Sequence, residues 1–299
     1  MGTRILMLIA AVGIMAFATS NATGTGPTEA AASDANSAVL AEVTVTAHRI
    51  ELKQRVAQFV TQIAPVENAD GLARWLNPVC PLVSGLPRQE GEFILGRVSE
   101  IARAVGVPLA GERCHANLYI LISARPKDLL QAMDKRNREF TFGFYSPPPP
   151  SVTDRFIATP RAVRVWYNTQ ERNLVGGTLI RFQGDRPPRV EGTGSVISNG
   201  ATWSLERVFV VVDQTRLHGV TRGQIADYIG MVGFADLKPD AKLADAPTIL
   251  NLFDGTPEQA AAGMSEWDQA FLKSLYATEQ KSKLQRSQMT RQIVREIAP

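Results

Sequence analysis

Two short runs of apolar residues constrain the fold of this chain more than any other feature of its sequence. Residues 117–123 read Asn-Leu-Tyr-Ile-Leu-Ile-Ser, and residues 204–212 contain a second apolar run at 208–212, which ends at Asp213. A strand without alternating polar residues is typical of a sheet that is covered on both faces. The first run therefore predicts a strand covered on both sides, and the second predicts another buried strand.

Amphipathic helices are predicted on either side of the first strand. Apolar residues recur at helical spacing in residues 51–64 and 92–107, and a third helix is expected over residues 126–136. The prolines of residues 74–81 argue against a regular element there. The order helix, strand, helix makes the first half an α/β module. For the whole chain we expect the α+β class, with a mixed sheet and helices.

The first 22 residues have the features of a signal peptide. Arg4 precedes an uninterrupted apolar run at residues 5–18, which is long enough for a signal-peptide core and short for a membrane span. Residues 23–40 are small, polar and without periodicity, which predicts a flexible linker. We expect a periplasmic or secreted mature protein without a transmembrane segment. The alternative is an uncleaved anchor helix, and the cleavage position stays open between Ala18 and Ala22.

The remaining chain divides at a run of four prolines, residues 147–150, which predicts a stiff boundary. Before it lies the α/β module, residues 41–146. After it we expect an α+β region over residues 151–277, followed by a C-terminal helix within residues 278–299. The sequence leaves open whether the two regions are separate domains or share one continuous sheet.

Several segments carry local predictions. Residues 43–46 are a first strand or the end of the linker, residues 161–167 and 178–182 are expected to pair as strands, and residues 192–195 are expected to form a loop. The C-terminal helix is polar and has only sparse apolar residues: Leu284, Ile293, Val294 and Ile297. It is expected to be a solvated helix, with a partner-binding helix as the alternative.

The two cysteines have a structural interpretation in an oxidising compartment. Cys80 and Cys114 are expected to form one disulfide. The alternative is a catalytic thiol at Cys114 with His115 as its partner. Adjacent residues on an extended chain point to opposite faces, so that pair is poorly placed for proton transfer.

Composition argues against several functional classes. The 32 basic and 29 acidic residues give a net charge of +3 without a basic block, so a nucleic-acid partner is not expected. Two cysteines and three scattered histidines provide neither a four-thiolate zinc site nor a histidine cluster. The sequence also lacks a Gly-x-Ser-x-Gly elbow and a phosphate loop ending in Gly-Lys-Ser/Thr. We expect no cofactor and no bound metal.

The most informative order of segments lies in residues 205–277. A helix over residues 222–231 follows the second strand, with Thr221 as its N-cap and Gly230 or Gly233 near its end. The patch 247–253, which contains Thr-Ile-Leu-Asn, and a helix over residues 265–276 complete the order. This order resembles the catalytic half of secreted zincin-type metallopeptidases. In particular it resembles exported proteins of Gram-negative bacteria that keep this scaffold but have changed the metal-binding helix.

In zincins that helix carries His-Glu-x-x-His, whose histidines hold zinc while the glutamate activates water. The corresponding positions here are Gly223, Gln224 and Asp227. Glycine has no ligand atom, a glutamine amide does not accept the proton of water, and one aspartate does not replace two imidazoles. His218 lies outside this helix and is the remaining polar candidate.

The resemblance therefore implies a degenerate metallopeptidase scaffold. We expect a non-catalytic binding or scaffolding protein of the cell envelope, a pseudoenzyme whose partner or ligand is unknown. The alternative is a hydrolase, either with an unconventional metal site that uses His218 and Asp227 or with dispersed catalytic residues. A third hypothesis is a structural accessory protein whose C-terminal helix docks on a larger complex.

Overall fold

A mixed β-sheet forms the centre of the structure. The computed structural model describes residues 47–65, 71–143, 148–173, 201–238, 241, 243, 246–254, 260–280 and 284–298. The predicted signal peptide, the linker, the strands at residues 43–46 and 178–182 and the loop at residues 192–195 lie outside these ranges. The described residues from His48 onwards belong to one compact unit.

Within the described ranges the sheet contains five strands. They are β1 (Arg74–Trp75), β2 (Pro81–Ser84), β3 (Leu118–Ser123), β4 (Val163–Asn173) and β5 (Ala201–Asp213). β5 pairs in parallel with β1 and β3 and antiparallel with β4, while β2 pairs in parallel with β3. Because β3 and β5 lie on opposite sides of the proline run, the two predicted regions share one continuous sheet.

Helices cover both faces of this sheet. They are α1 (47–63), α2 (Arg88–Val105), α3 (Pro126–Phe142), α4 (Pro150–Ala158), α5 (Arg222–Phe234), α6 (Glu266–Ala277) and α7 (Gln285–Ile297). Two short 3₁₀ helices span Gln214–Arg216 and Ile249–Phe253. This mostly parallel mixed sheet with its helices confirms the predicted α+β class.

The alternation of side chains along β3 and β5 divides the core in two. Leu118, Ile120 and Ile122 of β3 face the larger cluster, which also contains buried residues of α1, α2, α5 and α6. On the opposite face a smaller cluster joins Val211 of β5 to buried residues of α3 and α4. Successive residues of a strand point to opposite sides, so β3 contributes to the cluster on each face of the sheet. This arrangement agrees with the prediction that β3 is covered on both faces.

The C-terminal end of α5 is buried, and side chains from three other elements satisfy its last carbonyl groups. Such carbonyls have no partner within their own helix and need another donor when they are buried. The three donors are the Tyr167 hydroxyl to Val232, the Trp75 indole N–H to Gly233 and the Tyr276 hydroxyl to Phe234, at 2.9, 2.8 and 2.7 Å. These bonds attach α5 to β4, β1 and α6.

The disulfide prediction is confirmed. Cys80 and Cys114 are bonded, with their Cα atoms 5.9 Å apart, and neither cysteine is free. The bridge joins the start of β2 to the loop before β3. His115 is exposed, and the neighbouring Cys114 is bonded to Cys80, so it is not a free thiol in this structure.

Two expectations about proline-containing segments are wrong. Residues 74–81 contain β1 and the first residue of β2, because β1 ends before Pro78 and Pro81 occupies a strand's first position, where proline is tolerated. The proline run does not remain extended throughout, since Pro150 is the first residue of α4. Proline suits that position because its fixed φ matches a helix and no N–H bond is lost.

The C-terminal helix also differs from expectation. It forms over Gln285–Ile297, but Met289 and Ile293 are fully buried and pack in the main core. Its contacts are therefore more extensive than those of a solvated helix. No helix in the described part of the chain has the length and apolar character needed to cross a membrane.

Candidate functional site

Helix α5 carries Gly223, Gln224 and Asp227, the positions expected from the zincin resemblance, and a capping box fixes its start. The Thr221 side chain accepts from the Gln224 N–H at 3.2 Å, and the Gln224 side-chain oxygen accepts from the Thr221 N–H at 2.9 Å. This reciprocal pair satisfies donors that a helix start leaves without partners. The predicted N-cap is confirmed, and the helix ends at Phe234, one residue after Gly233.

The two glycines of α5 allow close packing. A Cβ atom at Gly230 would lie 2.7 Å from the Ile101 side chain of α2, and one at Gly233 would lie 3.3 Å from Leu118 of β3. These distances are short for carbon atoms, which ordinarily pack at about 3.5–4.0 Å. The glycines therefore bring α5 against both the sheet and α2.

Asp227 is buried and is held by a bidentate ion pair. Its side chain is 5% exposed, and its two oxygens accept from Arg97 Nε at 2.6 Å and Nη2 at 3.2 Å. The backbone N–H of Met264 donates to Oδ2 at 2.8 Å. Hydrogen bonding to this carboxylate raises the pKa of Arg97. The group thus connects α5, α2 and the segment before α6.

Gly263 lies directly beside this carboxylate. A Cβ atom at residue 263 would be 2.7 Å from Asp227 Oδ2. Only a residue without a side chain lets the loop approach the ion pair so closely.

The Gln224 amide is committed in a similar way. Besides its part in the capping box, its Nε2 donates to the Ala261 carbonyl at 2.8 Å. Gly223 has space beside it, since a Cβ there would contact only Thr221 Oγ1 at 3.9 Å. Gln224 and Asp227 therefore bond to residues 261–264, and Gly223 has no side chain.

His218 lies away from these contacts, on an exposed turn beside Gly219, whose φ is 77°. The structure does not bring His218 and Asp227 into a shared metal-binding group. Among the described residues, no set of three His, Cys, Asp or Glu side chains is placed to hold a metal ion.

Asp268 joins two segments that follow α5, the Ile249–Phe253 turn and the start of α6. Its oxygens accept from Thr248 Oγ1 at 2.5 Å, from the Ile249 N–H at 2.8 Å and from the backbone and side chain of Ser265 at 2.9 Å. The side chain is fully buried, and this burial raises its pKa despite the hydrogen bonds that it accepts. Asp268 therefore positions the start of α6 against the Ile249–Phe253 turn.

A second polar group lies at the carboxyl ends of β3 and β5, where Ser123 and Asp213 are partners in register. Asp213 Oδ1 accepts from the Thr215 N–H and hydroxyl at 3.1 and 2.6 Å, and Arg216 Nε lies 3.4 Å from Oδ2. Arg164, at the start of β4, lies on the same face as Asp213.

The sequence analysis did not identify this second group. It did predict the ends of both strands, and ligands of open α/β sheets bind outside the carboxyl ends of parallel strands. That rule could have identified Ser123 and Asp213 from the sequence. The position of Arg164 beside them depends on the antiparallel pairing of β4 with β5, which the sequence did not predict.

Comparisons with known proteins found no family model, no curated protein and no solved structure that matches the chain.

The structure thus contains two groups of polar side chains, one around Asp227 on α5 and one around Asp213 at the strand ends. The α5 group consists of neutralised or hydrogen-bonded side chains that attach one helix to its neighbours. The strand-end group contains arginine donors beside one carboxylate that already has partners. The first arrangement stabilises the structure, and the second places Arg164 and Arg216 near Asp213 at the carboxyl ends of β3 and β5.

Proposed function

We propose that this chain is a non-catalytic binding or scaffolding protein of the cell envelope, built on a zincin-like framework that does not bind the catalytic metal. The observation that supports this most strongly is the ion pair between Asp227 and Arg97. The carboxylate that replaces a metal ligand already has a cation as its partner, with N–O distances of 2.6 and 3.2 Å.

Metal binding at Asp227 is disfavoured by this partner. A cation would have to displace the Arg97 guanidinium or share the carboxylate with it, and both cations would then lie together in a mostly buried site. Gln224 adds only a neutral amide, whose nitrogen donates to Ala261. Zinc sites in proteins use thiolate, imidazole or carboxylate ligands, so an amide beside one neutralised carboxylate is a poor donor set.

Export is supported by the disulfide and by the predicted signal peptide. Disulfides persist in oxidising compartments and are rare in reducing ones. The Cys80–Cys114 bridge is compatible with a periplasmic or secreted protein. The proposed envelope location is tested by expressing the full chain, and separately a chain without residues 1–22, and comparing cell fractions. We expect export only with the N-terminal segment, and equal distribution of both forms contradicts this location.

The non-catalytic role is tested by metal analysis of the exported wild-type protein. After exposure to zinc and removal of the unbound ion, we expect zinc well below one per chain and no metal-dependent peptide cleavage. Asp227→Asn and His218→Ala are the site variants, and His115→Ala is the control because His115 is exposed and lies outside the motif. One zinc per chain that is lost in a site variant but kept in the control, together with zinc-dependent cleavage, favours the hydrolase instead.

A further inference from the structure

Two buried donors on β4 have no hydrogen-bond acceptor among the described residues. They are Nη1 of Arg164 and the indole Nε1 of Trp166. The two residues are two positions apart on one strand, so their side chains leave the same face of the sheet. That face is the one covered by α3 and α4, because Trp166 packs against the smaller core cluster.

Arg164 is the more unusual of the two. Its residue is only 5% exposed, yet its one described hydrogen bond runs from Nε to the Thr159 carbonyl at 2.8 Å. A guanidinium has five N–H donors, and buried charges in proteins are ordinarily paired and hydrogen-bonded. The bond to Thr159 attaches Arg164 to the C-terminal end of α4, while Nη1 has no acceptor among the described residues.

Asp213 is the acidic neighbour of Arg164, but it is shared with other donors. It lies on the same face, and its oxygens already accept from Thr215 and face Arg216. Burial lowers the pKa of Arg164; the negative charge of Asp213 raises it, and the positive charges of Arg216 and Arg161 lower it. Because Asp213 already faces Arg216, the unpartnered Nη1 of the buried Arg164 favours an added anion.

Trp166 provides a neutral donor and an apolar wall. Its ring lies edge-on to Phe142 and Phe156, with centroid distances of 4.9 and 5.0 Å. Successive side chains on one face of a strand are about 7 Å apart at their Cα atoms, so Trp166 is the next residue after Arg164 on this face. Buried indole N–H groups usually have an acceptor.

We propose that Arg164 and Trp166 are the principal donors of a binding site for an oxyanion group, a phosphate or a carboxylate carried by a small molecule, between β4 and α4. The planar fork of arginine matches both groups and forms charge-assisted hydrogen bonds with them. The Arg216 side chain, half-exposed, lies at the solvent side of this group. This inference rests on the binding role proposed above and gives that role a ligand class.

The test uses the indole resonances of the full exported chain in ¹H–¹⁵N spectra. The Trp166 resonance is assigned by its loss in Trp166→Phe, and the protein is titrated with inorganic phosphate and, separately, with acetate. Sodium chloride at matched ionic strength is the salt control. We expect saturable movement of the Trp166 resonance with at least one anion. The Trp75 indole, which donates to Gly233, serves as an internal control and is expected to remain in place.

Variants distinguish the proposed site from general salt effects. Arg164→Lys keeps a charge but not the fork, and Trp166→Phe keeps the ring but not the N–H. Since a hydrogen bond involving a charged group is worth about 1.5–3 kcal/mol, we expect Arg164→Lys to weaken binding at least about tenfold. Arg88→Lys is the matched control, because its side chain is 92% exposed, and is expected to bind as the wild type does.

The results also separate this inference from the proposed function. Phosphate and acetate that both leave the Trp166 resonance in place overturn the site, as does equal affinity in wild type, Arg164→Lys and Trp166→Phe. If Arg164→Lys changes the Trp75 resonance and so disturbs the fold, calorimetric titration of Trp166→Phe decides the question. Zinc content is measured independently, so the oxyanion site can fail while the non-catalytic role stands.

Discussion

Removal of Asp227 is the most direct test of its structural role. In Asp227→Ala the Arg97 guanidinium loses a bidentate partner and the Met264 N–H loses its acceptor. The Arg97 side chain is 42% exposed, so water replaces part of the ion pair and the interaction is weaker than a fully buried one. We therefore assign a coupling of about 1–2 kcal/mol to the pair, between the values for exposed and buried pairs.

The partly buried backbone N–H of Met264 adds to this cost. An N–H group left without an acceptor costs about 1–3 kcal/mol. The expected decrease in the free energy of unfolding for Asp227→Ala is therefore roughly 2–5 kcal/mol. For Arg97→Ala, which leaves the Met264 bond in place, we expect a decrease of about 1–3 kcal/mol.

A double-mutant cycle measures the coupling. Urea unfolding followed by circular dichroism, with the disulfide intact, gives the free energy of unfolding for the wild type, both single variants and the double variant. Arg88→Ala is the control, because its pair with Glu92 is exposed, and its stability is expected to stay close to that of the wild type. A coupling energy below about 0.5 kcal/mol, or an Asp227→Ala variant as stable as the wild type, refutes the assignment of Asp227 to a structural ion pair.

Three further predictions concern stability. Gly85→Ala is expected to cost roughly 2–5 kcal/mol in thermal or urea unfolding, because φ is +92° and the new Cβ would lie 1.9 Å from a backbone oxygen; the helical control Gly96→Ala, with open space around it, is expected to stabilise by up to about 1 kcal/mol, and equal behaviour of the two contradicts this. Replacing Cys80 and Cys114 by alanine is expected to cost roughly 3–4 kcal/mol, and a midpoint of urea unfolding equal to that of the wild type excludes a stabilising bridge. Burial raises the pKa of Asp268, so the contribution of this residue to stability is complete below about pH 3.9 and is lost as the pH rises through the pKa of the folded state. The stability of the wild type relative to Asp268→Asn is therefore expected to decrease as the pH rises from about 3.9. A difference between the two proteins that stays constant with pH contradicts this assignment.

Local patterns were sufficient for most elements of the fold. The apolar run of β3 predicted its strand, and the spacing of Thr221 and Gln224 carried a complete capping box. These features depend on residues within a few positions of one another, so they are present in the sequence before the chain folds. The disulfide could also be predicted from the sequence, because two cysteines allow only one intramolecular pairing.

Local reasoning failed where one residue type has two structural uses. The prolines before residue 82 argue against strands, although their positions avoid the ladder of β1 and begin β2. The four-proline run predicts an extended segment, although its last residue, Pro150, begins a helix. Neighbouring residues alone do not show whether a proline begins a strand or a helix or lies in an extended segment. Strand pairing and packing with distant segments decide this.

The sequence by itself determined that Gly223, Gln224 and Asp227 lack the side chains of a metallopeptidase motif, because that conclusion depends only on residue identity. Only the tertiary structure decided what those side chains do, since Arg97 lies 130 positions from Asp227 along the chain. The same holds for Arg164 and Trp166: their alternation on β4 was readable, but the helices that bury them, and the absence of an acceptor among the described residues, result from packing. Helix caps and strand patterns act over a few residues, whereas the burial and pairing of charged groups depend on which distant segments the core brings together.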